Sequence, residues 1–130
     1  MKPLNLVDSC GWLEYFADGP NASFYAPPIE MVDRLVVPTI CILEVFRKVL
    51  RQRGENSALQ AVAAMEQGRL VSLDVSISLS AARLGAEMGL PLADSVILAT
   101  AQAHKALIWT QDADFKKIDG VRYPRAGGTS

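Results

Sequence analysis

The chain has 130 residues, half of them hydrophobic and 21% charged, with a formal net charge of −1. This is the composition of one folded domain able to bury its own core, and it excludes a disordered chain or a strongly basic nucleic-acid coat. No uncharged apolar run approaches the roughly 18–20 residues of a membrane helix, and MKPLNLVD turns acidic before a signal-type stretch can form, so a cytoplasmic protein with no membrane partner is expected.

Leu4–Val7 is short and apolar and ends in Asp8, which predicts a buried strand. A helix follows from Ser9, with Trp12, Leu13 and Phe16 at helical spacing, and Asp18-Gly-Pro-Asn closes it as a loop. Because Pro27 and Pro28 interrupt any helix running through them, a short helix is expected to begin there. Leu35–Val37 reads as a second strand, and Thr39 as the N-cap of a helix reaching Arg53. Helix over Glu55–Gln67, strand over Leu70–Leu73, and helices over Ser76–Met88 and Asp94–Lys105 come next. Ala106–Trp109 reads as a strand, Asp112–Ile118 as a helical turn and Val121–Tyr123 as a last strand. The expected domain therefore spans residues 1–125, and 126–130 is expected to be a flexible tail. Strands alternating with helices of ten or more residues predict an α/β fold with a mostly parallel sheet, whose ligands bind beyond the carboxyl ends of the strands.

Elimination narrows the chemistry. One histidine excludes a zinc centre with several imidazoles, and the two cysteines, Cys10 and Cys41, lack metal-ligand spacing and are expected to be reduced thiols. No hydrolase serine elbow and no glycine-rich nucleotide loop occurs. Carboxylates remain. Asp8 ends the first strand, Asp112 and Asp114 follow the strand at Ala106–Trp109, and Asp94 opens a largely apolar helix. Glu44 lies early in the helix after Leu35–Val37. All border the carboxyl edge of a parallel sheet, and hard oxygen ligands gathered in one pocket select Mg²⁺ or Mn²⁺. Each acid alone also fits a structural role. Asp8 and Asp94 fit as helix caps, Glu44 as the exposed partner of Lys48, and Asp112 as a cap or the partner of Lys116. The set carries the argument, since four separate coincidences would otherwise be needed.

Four blocks resemble those of the PIN-domain family, and most closely VapC-type toxins of prokaryotic toxin–antitoxin pairs. They are V-D-S at Val7–Ser9, P-T-I-C-I-L-E-V at Pro38–Val45, L-x-L-A-D-S-V-I-L-A-T-A at Leu90–Ala101 and T-Q-D-A-D-F at Thr110–Phe115. The resemblance implies a three-layer α/β/α fold around a central, mostly parallel sheet of four to five strands. It implies that Asp8, Glu44, Asp94 and Asp112 bind Mg²⁺ or Mn²⁺ and catalyse endonucleolytic cleavage of RNA. Asp114 would support the metal or cap its turn, and Ser9 and Thr110 would orient the first and last acids. Cys10 departs from a hydroxyl residue often found at its position.

Arg47, Lys48, Arg51 and Arg53 on one helix, and Lys116, Lys117, Arg122 and Arg125 near the end, are candidate phosphate contacts; each alone also fits a solvated surface. Trp109 and His104 read as core and surface residues rather than catalytic ones. The likeness further implies a homodimer and a cognate antitoxin that blocks the acidic cleft and brings the pair to promoter DNA, with Trp12, Tyr15, Phe16, Phe24, Tyr25 and Met31 as the docking surface. A PIN nuclease of RNA processing, or an RNA-binding module, is the other reading. A phosphoacceptor receiver domain fits poorly, since Ser9 rather than a second acid follows Asp8 and no aspartate follows Val37.

Overall fold

A computed structural model describes residues 2–125; the tail expected at 126–130 lies outside them. Strands β1 (Leu4–Val7), β2 (Leu35–Pro38), β3 (Arg69–Val71), β4 (Ala106–Trp109) and β5 (Val121–Arg122) form one sheet in the order β3-β2-β1-β4-β5. Every pairing is parallel, with Asn5 beside Leu35 on one side of β1 and Leu107 on the other. The helices are α1 (Ser9–Phe16), α2 (Ala22–Glu30), α3 (Thr39–Arg53), α4 (Glu55–Met65), α5 (Val75–Met88) and α6 (Leu92–His104). Together they make the α/β/α arrangement. Among the described residues no single helix is long and apolar enough to cross a membrane.

The strand order sets the place of the site. The chain moves outward from β1 through β2 to β3, then returns to the far side of β1 to lay down β4 and β5. Where the order reverses, the loops after β1 and β4 leave in opposite directions and open a crevice. β1 and β2 tolerate this central position because their residues are apolar on both faces: Leu6, Val7, Leu35, Val36 and Val37 are all buried. Helix α6 lies beneath the crevice as a wholly buried element from Asp94 to Ala101. Gly89, at φ 66°, ends α5 in the left-handed conformation that lets the chain turn back into α6.

Two expectations are corrected. Helix α2 begins at Ala22 and carries Pro27 and Pro28 inside it rather than starting at them. The prolines fall in its last turns and remove few ladder bonds, while Tyr25, Pro28 and Ile29 gain buried contacts. Thr39 is the first residue of α3 and not its cap, because β2 continues through Pro38, which occupies the capping position without a side-chain bond. The helical turn expected over Asp112–Ile118 is a shorter one, Ala113–Phe115, and the other boundaries agree with those expected to within two residues, the ordinary uncertainty of helix and strand ends.

One glycine is fixed by close approach. A Cβ on Gly11 would stand 2.5 Å from the Tyr25 ring and 2.7 Å from Val7 Cγ1, both in fully buried side chains. Replacing Gly11→Ala therefore overpacks the α1–α2 contact. The expected loss is about 1–3 kcal/mol of unfolding free energy, read as a lower urea midpoint at unchanged slope.

Candidate functional site

Asp8 stands at the point where β1 becomes α1. Its backbone N–H continues the sheet by donating to Trp109 O at 3.0 Å, so the carboxylate is delivered directly into the crevice. Oδ1 accepts from the Ser9 N–H at 2.7 Å, and Oδ2 accepts from Thr110 Oγ1 at 2.8 Å with Cys10 Sγ at 3.5 Å. Thr110, fully buried, also accepts from the Asp112 N–H at 2.9 Å. One hydroxyl thus ties the first acid to the turn that carries the last. The Tyr123 hydroxyl donates to Asp112 O at 2.6 Å and holds that turn from the other side.

Asp94 enters from the first turn of α6, where the free backbone N–H groups favour a negative charge. It meets Asp112 and Asp114: the three can each offer a carboxylate oxygen such that all lie within 4.8 Å of one another. Asp94 is buried, Asp112 half-buried and Asp114 exposed, so the cluster runs from the interior to the surface. Glu44 reaches the same edge from α3. Its Oε1 accepts from Ser9 Oγ at 2.6 Å, rather than pairing along its own helix. Ser9 therefore serves two acids, its backbone N–H on Asp8 and its hydroxyl on Glu44, where the resemblance placed the hydroxyl on the first acid.

Crowding of negative charge appears in the titration. Burial, the charge of Asp112 and a hydrogen bond shared with Asp114 push Asp94 up to about 8. Burial raises Asp8 as well, opposed by its bonds from Thr110, Ser9 and Cys10. Burial and the charge of Asp8 hold the Cys10 thiol at about 11, so it is a neutral weak donor here. Cys10 and Cys41 are both free thiols. The set offers hard carboxylate oxygens, too many for the local charge to balance, which fits a divalent cation of the Mg²⁺ or Mn²⁺ kind and not a soft metal.

Two clefts of about 530 Å³ each flank the acids. One is walled by α1, α3 and α4, with Leu13, Phe16 and Val49 as apolar lining, Lys48 and Arg53 as cations, and Cys10 and Gln111 at the acidic end. The other lies beyond Asp114 and is lined by Met88, Leu90, Ile118, Lys116 and Lys117. Of the candidate phosphate contacts, Lys48 and Lys116 thus border clefts, while Arg47 and Arg51 are exposed elsewhere on α3.

Of the surface expected for a partner, Trp12 and Tyr25 are fully buried, Tyr15, Phe16 and Phe24 are half-buried and Met31 is exposed. Phe24 packs on Trp109 with ring centroids 5.1 Å apart. Helical spacing reports core at Trp12 and Tyr25, while Phe16 lines the cleft between α1, α3 and α4. Trp109 itself donates from Nε1 to Asn5 Oδ1 at 2.9 Å, as befits a strand-end residue. Gln111, Asn21 and Tyr123 were not singled out from sequence, because their bonds join distant segments with no local pattern.

A five-stranded parallel sheet with carboxylates gathered at its reversal point defines an α/β protein with an acidic crevice. The chain belongs to the PIN domain family, whose pattern matches residues 6–121. No curated protein matches it significantly. Among solved structures, a toxin–antitoxin complex from Klebsiella pneumoniae contains a chain 24% identical, with a TM-score of 0.78 over 93% of this chain and 98% of that one. VapBC2 from Rickettsia felis, bound to a DNA fragment from its promoter, gives 13% and 0.74 over 92% and 98%. VapC20 of Mycobacterium tuberculosis, a toxin that cleaves the sarcin–ricin loop, gives 14% and 0.74 over 89% and 95%. At these identities the likeness is one of fold.

The raised Asp94 has a consequence for stability. Between its usual carboxyl range near 3.8 and about 8, the folded protein holds a proton that the unfolded chain has released. Stability therefore falls as pH rises through that window. In chelator-treated protein, the thermal midpoint is expected to drop between pH 5 and pH 8, and Asp94→Asn to flatten that slope.

Proposed function

We propose that this chain is a metal-dependent endoribonuclease of the VapC type, the toxin partner of a cognate antitoxin. The observation that carries the reading is the meeting of Asp94, Asp112 and Asp114 beside Asp8 at the reversal point of a PIN-domain sheet. Asp8, Asp94 and Asp112 are assigned as ligands of a Mg²⁺ or Mn²⁺ ion, with Asp114 at its open side and Glu44 as a fifth acid at the edge. When bound, such an ion supplies charge neutralisation, a Lewis acid for a phosphate oxygen and a water of lowered pKa.

The roles of the chain's own groups follow from their partners. Thr110 holds Asp8 Oδ2 and the Asp112 backbone in one register, so the two carboxylates are presented together. Glu44 is held through Oε1 by Ser9, which leaves Oε2 to orient a water and accept its proton. Lys48 and Arg53 along one cleft, and Lys116 and Lys117 along the other, supply attraction for a phosphate backbone on both sides of the acids. This division keeps cations near the strand while leaving the acids free for the ion.

The toxin assignment draws on the neighbours, which include toxin–antitoxin complexes of the same fold. An antitoxin segment seated in the cleft between α1, α3 and α4 would cover Cys10 and Gln111 and close the approach to the acids. Binding of promoter DNA would then be indirect, through the antitoxin. A homodimer is also proposed, and the exposed Val75 and Leu79, one turn apart on α5, offer apolar surface for it.

Cleavage of mixed RNA substrates is expected to require Mg²⁺ or Mn²⁺ and to stop on chelation. Asp94→Asn should lower the rate by about a hundredfold or more while leaving the far-ultraviolet circular dichroism unchanged. Equal cleavage by the variant and the parent protein would overturn the assignment.

A further inference from the structure

Gln111 lies between two residues of the acid site, Thr110 and Asp112, and lines the cleft between α1, α3 and α4 with an exposed side chain. Its Oε1 accepts two hydrogen bonds, from the Tyr25 hydroxyl at 3.1 Å and from Asn21 Nδ2 at 3.2 Å. Both donors are themselves anchored. Tyr25 is fully buried with its ring against Gly11, and the Asn21 backbone N–H donates to Glu14 Oε2 at 2.7 Å. A carboxamide is planar, so fixing its oxygen on the α2 side turns its nitrogen the opposite way. Nε2 has no partner among the described residues, which leaves two N–H donors for whatever occupies the cleft. Holding the amide in advance also removes the ordering cost that a free surface glutamine would meet on binding.

We propose that Gln111 contacts the RNA strand, its Nε2 donating to an oxygen of the nucleotide next to the phosphate at the acids, with Tyr25 and Asn21 as positioning residues. This rests on the ribonuclease reading and deepens it. A neutral donor suits the location. A lysine or arginine at residue 111 would pair with Asp112 or Asp8 and weaken the acids, whereas an amide offers hydrogen bonds without altering their charge. The acceptor chemistry is an oxygen, either of the sugar–phosphate backbone or of a base edge.

The test uses the full chain, Mg²⁺ and short single-stranded RNAs that differ in the nucleotide beside the cleavage site. Gln111→Ala is expected to raise KM about threefold to tenfold with kcat within about twofold. Gln111→Glu keeps an oxygen for Tyr25 and Asn21 but replaces the donors with charge, and should raise KM further. Tyr25→Phe should move KM in the same direction by less, a split that simple loss of folded protein would not produce. If the acceptor is a base edge, Gln111→Ala changes the ranking of the four nucleotides; if it is the backbone, all four weaken alike. Wild-type KM in both Gln111 variants overturns the proposal. RNA binding by the Asp94→Asn protein separates the two readings. Affinity that depends on Gln111 without any cleavage by the parent protein sinks the nuclease and keeps the contact. Cleavage that depends on Asp94, with RNA affinity indifferent to Gln111, does the reverse, and no RNA binding at all removes the contact.

Discussion

Mutual repulsion of carboxylates is the constraint around which this molecule is organised. Asp94, Asp112 and Asp114 bring oxygens within 4.8 Å of one another, with Asp8 close enough to add to the charge on Asp94. Such a group lowers stability unless protons or a cation share it, so the surrounding structure must hold it by force of packing. The buried α6 and the central β1 are that packing: from Val96 to Ala99 and at Leu6 and Val7 they bury apolar side chains beside the acids. The site is thus concentrated charge on buried scaffold, and a ligand cation is the simplest way to relieve it.

Topology turns that scaffold into a cleft. A parallel sheet that grew only outward from β1 would leave Asp8 and Asp112 on distant strands. Returning to place β4 beside β1 makes them neighbours across 104 residues of chain, joined by the single Thr110 hydroxyl. The helices that begin after β1 and β2 then bring Ser9 and Glu44 together at the same edge. The acids therefore arrive on separate stretches of chain, with Asp112 and Asp114 sharing one turn, and no local stretch of sequence contains the whole site.

Much of this was legible before any coordinates. Apolar runs followed at once or within three residues by an acid located β1 and β4 with Asp8 and Asp112, because strand burial and chain polarity are local properties. Asp94 was legible as an acid heading a helix otherwise too apolar to carry one. The route through Pro27 and Pro28 was not, since its stability comes from Tyr25 and Ile29 packing elsewhere in the protein. The aromatic residues of α1 and α2 were assigned to a partner surface, yet Trp12 and Tyr25 are core. Periodicity alone cannot tell a covered face from an open one. Gln111 stayed invisible because its partner Tyr25 lies 86 residues away and glutamine carries no propensity that marks such a bond.

The Asp112 turn shows what such tethering achieves. Its N–H is taken by Thr110 and its carbonyl by Tyr123, so both peptide planes are locked by the protein's own hydroxyls. A guest arriving at the carboxylate finds a receptor already frozen in shape, with little backbone entropy left to surrender. Selectivity there is then decided by size and charge, since the loop cannot mould itself to an ill-fitting ion.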